Sequence, residues 1–279
     1  MAAALMDTFA QAVIMGIVQG LTEFLPVSSS GHLIIVPYLA GWNDPFITSL
    51  AFSVMLHIGT LAALLVYFRS EWQRLIPAGL ATIRYRSFDS DPDRRLAWLI
   101  AVATVPALIL GVLLNDLVEQ RFREVGLVAV MLVVGGGILW LAERQGSRRL
   151  LAVDLTFAKA LAIGVAQALA LVPGMSRSGI SISAGQFAGL YRESAARFSF
   201  LMATPITAAA AAYETYKVVT GETGLVVQVA PLLAGMAAAL VSGFVAIAVL
   251  LRLLRSRSTD VFVVYRVILA AVVLVTWLG

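Results

Sequence analysis

One polar, glycine-rich loop is written twice into a chain whose other long segments are apolar. The first copy occupies 16–32 and the second 164–179. Four landmarks keep a displacement of 148 positions: Gly16 with Gly164, Gln19 with Gln167, Ser30 with Ser178 and Gly31 with Gly179, while Pro26 and Pro173 slip by one. Neither copy fits inside an unbroken apolar helix, because proline removes a backbone donor and serine competes for backbone hydrogen bonds. Backbone freed in this way survives at membrane depth only when it is buried in protein or faces water. A duplicated, interrupted segment therefore marks the place between two repeats where a binding site is expected, so the two loops are expected to face each other.

The membrane setting follows from composition. A chain of 279 residues that is 60% hydrophobic and 13% charged, with a mean hydropathy of +0.92, has too little polar surface to cover a water-soluble globule. Stretches of roughly 20 apolar residues, enough for a hydrocarbon core of about 30 Å, lie at about 48–69, 96–116, 124–142, 195–216, 226–251 and 260–278. The loop-bearing regions, about 8–40 and 155–191, each read as a helix, a turn and a returning helix. Length alone would let the arm Met6–Phe24 nearly span, at about 28 Å. Re-entry is inferred instead from Pro26, the three serines that follow it and Gly31.

Charge supports the same count. Basic residues cluster from Arg69 to Arg95 (with Arg74, Arg84, Arg86 and Arg94), from Arg144 to Lys159 (with Arg148 and Arg149) and from Arg252 to Arg257 (with Arg255), after the first, third and fifth spans. The alternate loops hold only Arg121, Arg123 and Lys217, and residues 1–47 carry no Lys or Arg. The excess of positive charge assigns the three clusters to the cytoplasm and both termini to the outside. This works only if each broken segment enters and leaves by one face, the first from outside and the second from inside. The expected fold is thus an all-α integral membrane protein with six transmembrane helices and two re-entrant helix-loop-helix segments in an inverted-topology repeat. It forms a single polytopic domain over 1–279, with repeat one at about 8–142 and repeat two at about 155–278.

Other classes are excluded. No basic n-region or cleavage site is recognisable near the start, so no removable signal peptide is expected. With no cysteine, disulfides, haem thiolates and Cys-ligated zinc are ruled out. The pI near 9.7 comes from the inner loops and points to anionic lipid, not nucleic acid, since no basic-aromatic module is present. The stretch 71–95 reads as an interfacial segment and loop, and no soluble domain is seen. A homo-oligomer is left open.

Within the loops, Glu23 follows Gln19 by four residues, so on a helix both project from one face. An intramembrane carboxylate is a functional candidate by default, able to take a proton or bind a divalent cation; the structural alternative is a helix-end cap or a pair with Arg177. Ser28, Ser29 and Ser30 precede Gly31, and at least one is expected to cap the returning helix. A helix beginning near Gly31 aims free N–H groups and its positive dipole end at the cavity, which favours phosphate. Ser176, Ser178 and Gly179 repeat that arrangement. His32 reads either as a satisfied structural histidine or as a nucleophile or general acid/base. Arg177 requires an anion at this depth, and its planar fork matches phosphate oxygens. His57, mid-span among apolar neighbours, is left to packing or a supporting hydrogen bond. Arg266 reads as snorkelling to the cytoplasmic interface. Pro106, Pro205 and Pro231 are expected to kink spans, and Gly135–Gly137 to allow close helix packing.

The run 20–32, Gly-Leu-Thr-Glu-Phe-Leu-Pro-Val-Ser-Ser-Ser-Gly-His, and the run 173–179, Pro-Gly-Met-Ser-Arg-Ser-Gly, resemble the undecaprenyl-diphosphate phosphatases, also called bacitracin-resistance proteins. The resemblance extends to 198–205 and to Tyr265-Arg266, over essentially the whole chain. It implies a bacterial inner-membrane hydrolase, open to the periplasm, that removes the terminal phosphate of undecaprenyl diphosphate and yields the lipid carrier for peptidoglycan precursors. The family's acidic motif falls on Gln19 and Glu23, its Ser-Gly-His pattern on Pro26 to His32, and its arginine loop on Ser176, Arg177 and Ser178. A divalent cation, Mg²⁺ or Ca²⁺, is implied as cofactor. Gln19 stands where the two-carboxylate version has an acid, which leaves Glu23 and the diphosphate as the main negative ligands and makes Gln19 a doubtful one.

On this reading Ser29 is the first choice of nucleophile and His32 its proton partner, while attack by His32 or by water stays open. Glu23 and Arg177 complete the catalytic set, and Ser28, Ser30, Gly31, Ser176, Arg177, Ser178 and Gly179 are the expected phosphate-binding residues. A transporter or flippase of polyprenyl phosphate lipids is the alternative class, because broken helices in inverted repeats also build transporters.

Overall fold

The computed structural model describes residues 2–85, 91–222 and 226–279, with the side chains of 2–6 and 115–121 outside the description. Arg86 and the side chain of Arg121, both counted among the loop charges, fall outside the described residues. The described chain is all-α: α1 (Ala2–Phe24), α2 (Ser29–Ala40), α3 (Leu50–Tyr67), α4 (Arg69–Tyr85), α5 (Pro92–Arg121), α6 (Val125–Gln145), α7 (Phe157–Ala168), α8 (Arg177–Phe187), α9 (Arg192–Val219), α10 (Val229–Leu254) and α11 (Asp260–Leu278). Six of these, α3, α5, α6, α9, α10 and α11, are long and apolar enough to cross a membrane. They coincide with the stretches picked out by hydropathy.

Serine and threonine set several helix starts. Ser49 Oγ accepts from Phe52 N at 3.0 Å at the head of α3, and Thr156 Oγ1 from Lys159 N at 3.2 Å at the head of α7, each satisfying a donor that the helix leaves free. Gly41 ends α2 at φ 66°, a left-handed cap that glycine adopts without Cβ strain.

Helix pairs cross between the halves of the chain. α1 lies against α10 and α7 against α5, while α3 packs on α9 and α6 on α11. At the first two crossings the backbones nearly touch: a Cβ on Gly16 would fall 2.1 Å from Gly235 O, and one on Gly164 would fall 2.1 Å from Ala103 O. The glycines that are 148 positions apart thus make the same kind of contact, small residues letting two backbones approach. The main core joins both halves, with Phe24 of α1 edge-on to Phe200 of α9 at 5.4 Å between ring centroids.

Two local expectations change. The stretch 71–95 is largely helix, since α4 runs to Tyr85 and α5 begins at Pro92; α4 buries Leu75 and Thr82 and exposes Ile76, Leu80 and Ile83. Pro231 lies in the first turn of α10, where its missing N–H interrupts no bond, so it starts a span and does not kink it. Pro106 and Pro205 are interior to α5 and α9.

Candidate active site

Both broken segments are helix–turn–helix, and their turns meet. Glu23 is next to last in α1, Ser29 is first in α2 and Arg177 is first in α8, so three chemically distinct groups are delivered by helix ends. The turns are built alike. Ser28 (φ 78°) and Ser176 (φ 74°) take left-handed backbone that is costly for a residue with a Cβ. Each caps its own helix, Ser28 Oγ accepting from Gly31 N at 3.3 Å and Ser176 Oγ from Gly179 N at 3.1 Å. Ser28 Oγ also accepts from Gly174 N at 3.1 Å, and Ser178 Oγ donates to Leu25 O at 3.0 Å, which tie one turn to the other.

At the junction the Glu23 carboxylate is the hub. Its Oε1 pairs with Arg177 Nη2. Its Oε2 accepts from Ser29 Oγ at 2.5 Å and from Gln19 Nε2 at 3.1 Å, and lies 3.5 Å from His57 Nε2. Arg177 Nη1 donates to Thr207 Oγ1 at 2.6 Å, so α9 also holds the guanidinium. These groups open on a cavity of about 180 Å³ whose polar wall is Glu23, Ser29, Ser30, His57, Gln167, Ser176 and Arg177 and whose apolar wall includes Ala107, Leu171 and Ile206. An anion-binding guanidinium, a carboxylate and a serine hydroxyl bonded to that carboxylate are the parts a phosphoryl transfer needs.

Of the residues expected at the site, Glu23, Ser29, Ser30, Ser176 and Arg177 line this cavity. Ser28, Gly31, Ser178 and Gly179 do not; they shape the turns through the bonds just given. His32 also lies outside the lining. Its Nδ1 donates to Ser28 O at 2.7 Å, and its Nε2 accepts from Tyr265 Oη at 2.7 Å, so both ring nitrogens are engaged and the ring packs flat on Tyr265. The cavity-facing histidine is His57, whose Nδ1 donates to Ser53 O at 2.8 Å, leaving Nε2 towards Glu23. Mid-span position is what flags an intramembrane ionisable group, and that signal was present for His57 as much as for Glu23.

Arg266 does not snorkel. It is 0% exposed, and its guanidinium donates to five carbonyls: Leu132 O (2.8 Å), Met131 O (3.2 Å), Pro26 O (3.2 Å), Gly174 O (2.7 Å) and Met175 O (3.1 Å). It thereby binds both turns to α6. Gly135 makes the room, since a Cβ there would lie 2.3 Å from Arg266 Nη2 and 2.5 Å from Met175 O. Satisfying loop carbonyls inside the protein is the alternative to reaching the interface, and the turns supply the carbonyls because their helices have ended.

Among the described residues no three His, Cys, Asp or Glu side chains come together as a metal cluster. The acidic oxygen donor that the hub offers a cation is the Glu23 carboxylate, beside the Ser29 hydroxyl; Gln19 Oε1 is buried without a partner.

Residues 12–272 match the family model described as bacitracin resistance protein BacA. The chain belongs to the BacA family. BacA relatives align with nearly all of the chain. The undecaprenyl-diphosphatase of Gemmatimonas aurantiaca is 50% identical, covering 95% of this chain and 97% of its own. Those of Desulforudis audaxviator and Thermomicrobium roseum are 43% and 45% identical, each covering 95% of this chain and 96% of their own.

Proposed function

We propose that this protein is an undecaprenyl-diphosphate phosphatase, releasing inorganic phosphate and undecaprenyl phosphate for reuse as the cell-wall lipid carrier. The observation that carries the reading is the hub itself: one carboxylate bonded to a serine hydroxyl from one turn and paired with an arginine from the other, on a cavity open between apolar helices. Full-length relatives that bear the phosphatase name support it and give the transporter alternative no weight.

The mechanism starts from the Glu23–Arg177 pair. An incoming diphosphate competes for the guanidinium, whose fork suits phosphate oxygens as well as a carboxylate. Glu23, relieved of its counter-ion, takes the Ser29 proton along the bond already formed. Ser29 Oγ attacks the terminal phosphorus, and the bond to the bridging oxygen breaks with its electron pair leaving on undecaprenyl phosphate. Water then cleaves the phosphoserine and gives inorganic phosphate. Arg177 neutralises the transferring group throughout, as preorganised donors do in a water-poor site. His32 serves here by holding Ser28, and through it the turn, against Tyr265.

A divalent cation fits this site if protein and substrate share in holding it. Glu23 would hold it on the protein side, since Gln19 turns its Nε2 and not its Oε1 to that carboxylate, and when bound it would offset charge on the phosphates.

The two broken segments are read as re-entrant and the halves as inverted repeats about the α3–α9 and α6–α11 contacts. The reciprocal crossings at Gly16 and Gly164 support this. The assignments of the bacterial inner membrane, outward termini and a periplasmic opening rest on the charge pattern and the resemblance.

The test is phosphate release from undecaprenyl diphosphate by the purified protein, with and without chelator. Release that stops on chelation and returns with Mg²⁺ or Ca²⁺ supports the reading; an inert protein under all three conditions contradicts it.

A further inference from the structure

Gln167 takes no part in the network around Glu23, yet it lines the same cavity. It lies near the end of α7 and is 2% exposed, and its amide nitrogen and oxygen are both buried without a hydrogen-bond partner. Its counterpart in the first repeat, Gln19, directs Nε2 to the carboxylate four residues on. Four residues after Gln167 stands Leu171, so the second repeat offers no such acceptor along the helix.

A carboxamide buried and left wholly unsatisfied is strongly unfavourable, whereas a leucine of similar shape there would be neutral or better. An amide at this position therefore makes physical sense if its partner arrives with the ligand. The complement of Nε2 is an anionic oxygen. The complement of Oε1 is a cation or a water hydrogen. A diphosphate provides the first directly, and the cation or water that accompanies it provides the second.

We infer that Gln167 is a substrate-binding residue, its amide engaging the lipid diphosphate in the cavity it shares with Arg177 and Glu23. Gln167 already lines that cavity, and χ3, the soft terminal torsion of glutamine, sets which of its two amide atoms faces it. The inference rests on the phosphatase reading and deepens it. The second repeat then contributes a neutral hydrogen-bonding group beside its arginine, while the first contributes the carboxylate and the hydroxyl.

The experiment compares wild type with Gln167→Leu by three measurements: phosphate release from undecaprenyl diphosphate, affinity for a non-hydrolysable farnesyl methylenediphosphonate, and the thermal midpoint of the ligand-free protein. Expected for Gln167→Leu is a loss of about tenfold or more in kcat/KM and in analogue affinity, with a thermal midpoint equal to or above that of wild type. Wild-type kcat/KM and affinity in the variant would overturn the assignment. A lowered thermal midpoint, or failure to fold, would overturn it too, because the amide would then be structural. A wild-type protein that releases no phosphate would instead overturn the phosphatase reading, so the two failures are separable.

Discussion

Glu23 and Arg177, 154 positions apart in sequence, form an ion pair across the two turns. The pair stabilises two charges that the apolar surroundings would otherwise penalise. It also places the guanidinium that receives the substrate and the serine's proton acceptor in contact before any substrate arrives. Binding of a diphosphate then exchanges one anion for another at Arg177, and the carboxylate it releases is the group that takes the serine's proton.

The fork of Arg177 matters as much as its charge. Arg177→Lys will retain the positive charge but not the simultaneous bonds to Glu23 and Thr207, and will lower kcat by roughly 100-fold, the usual effect of removing a preorganised transition-state donor. Steady-state phosphate release at saturating substrate checks this, and near wild-type turnover would refute it.

Adjacent serines will behave differently. Ser29→Ala removes the group bonded to Glu23 and will abolish turnover while leaving thermal stability near wild type. Ser28→Ala removes the acceptor for Gly31 N and Gly174 N and will destabilise the protein by about 1–2 kcal/mol, as loss of a helix cap does. Thermal unfolding and phosphate release measured on both variants separate the two roles.

Arg266→Met will leave carbonyls of both turns without donors. A loss of about 3–5 kcal/mol is expected, in the range seen when a buried hydrogen-bonded charge site is broken. Unchanged thermal unfolding in detergent would show that the five-carbonyl clamp is not what holds the turns together. Gly135→Ala will be similarly harmful, because the added methyl meets both Arg266 and Met175 O.

Much of this was legible in the sequence, and the rest was not for identifiable reasons. The six spans follow from hydropathy alone, and the shared turn design follows from landmarks that keep one displacement. The meeting of Glu23 with Arg177 followed from the need of a buried guanidinium for an anion. Direction was the harder matter. Arg266 has the same residue type and depth whether it reaches outward or inward, and what turns it inward is the empty side of Gly135 on another helix. That His57 lines the cavity while both ring nitrogens of His32 are engaged by Ser28 O and Tyr265 Oη depends on contacts that sequence spacing does not show. Gln167 was visible as a repeat landmark, but its unpaired amide shows only when Leu171 and the cavity wall are placed around it.

The reciprocal helix crossings give a matched pair of stability tests. Gly16→Ala and Gly164→Ala each put a methyl 2.1 Å from a backbone oxygen on the crossing helix. Each will destabilise by about 1–3 kcal/mol or more, since neither backbone can yield as a flexible side chain would. Equal thermal shifts from the two variants would mark the crossings as equivalent; tolerance of either would contradict the close backbone approach at that crossing.

The most direct measurement is phosphate release from undecaprenyl diphosphate by wild type, Glu23→Ala and Arg177→Ala, each shown to be folded. If the two turns form one diphosphate site, wild type will turn over and both variants will lose about 100-fold or more. Full turnover by either folded variant would contradict the account.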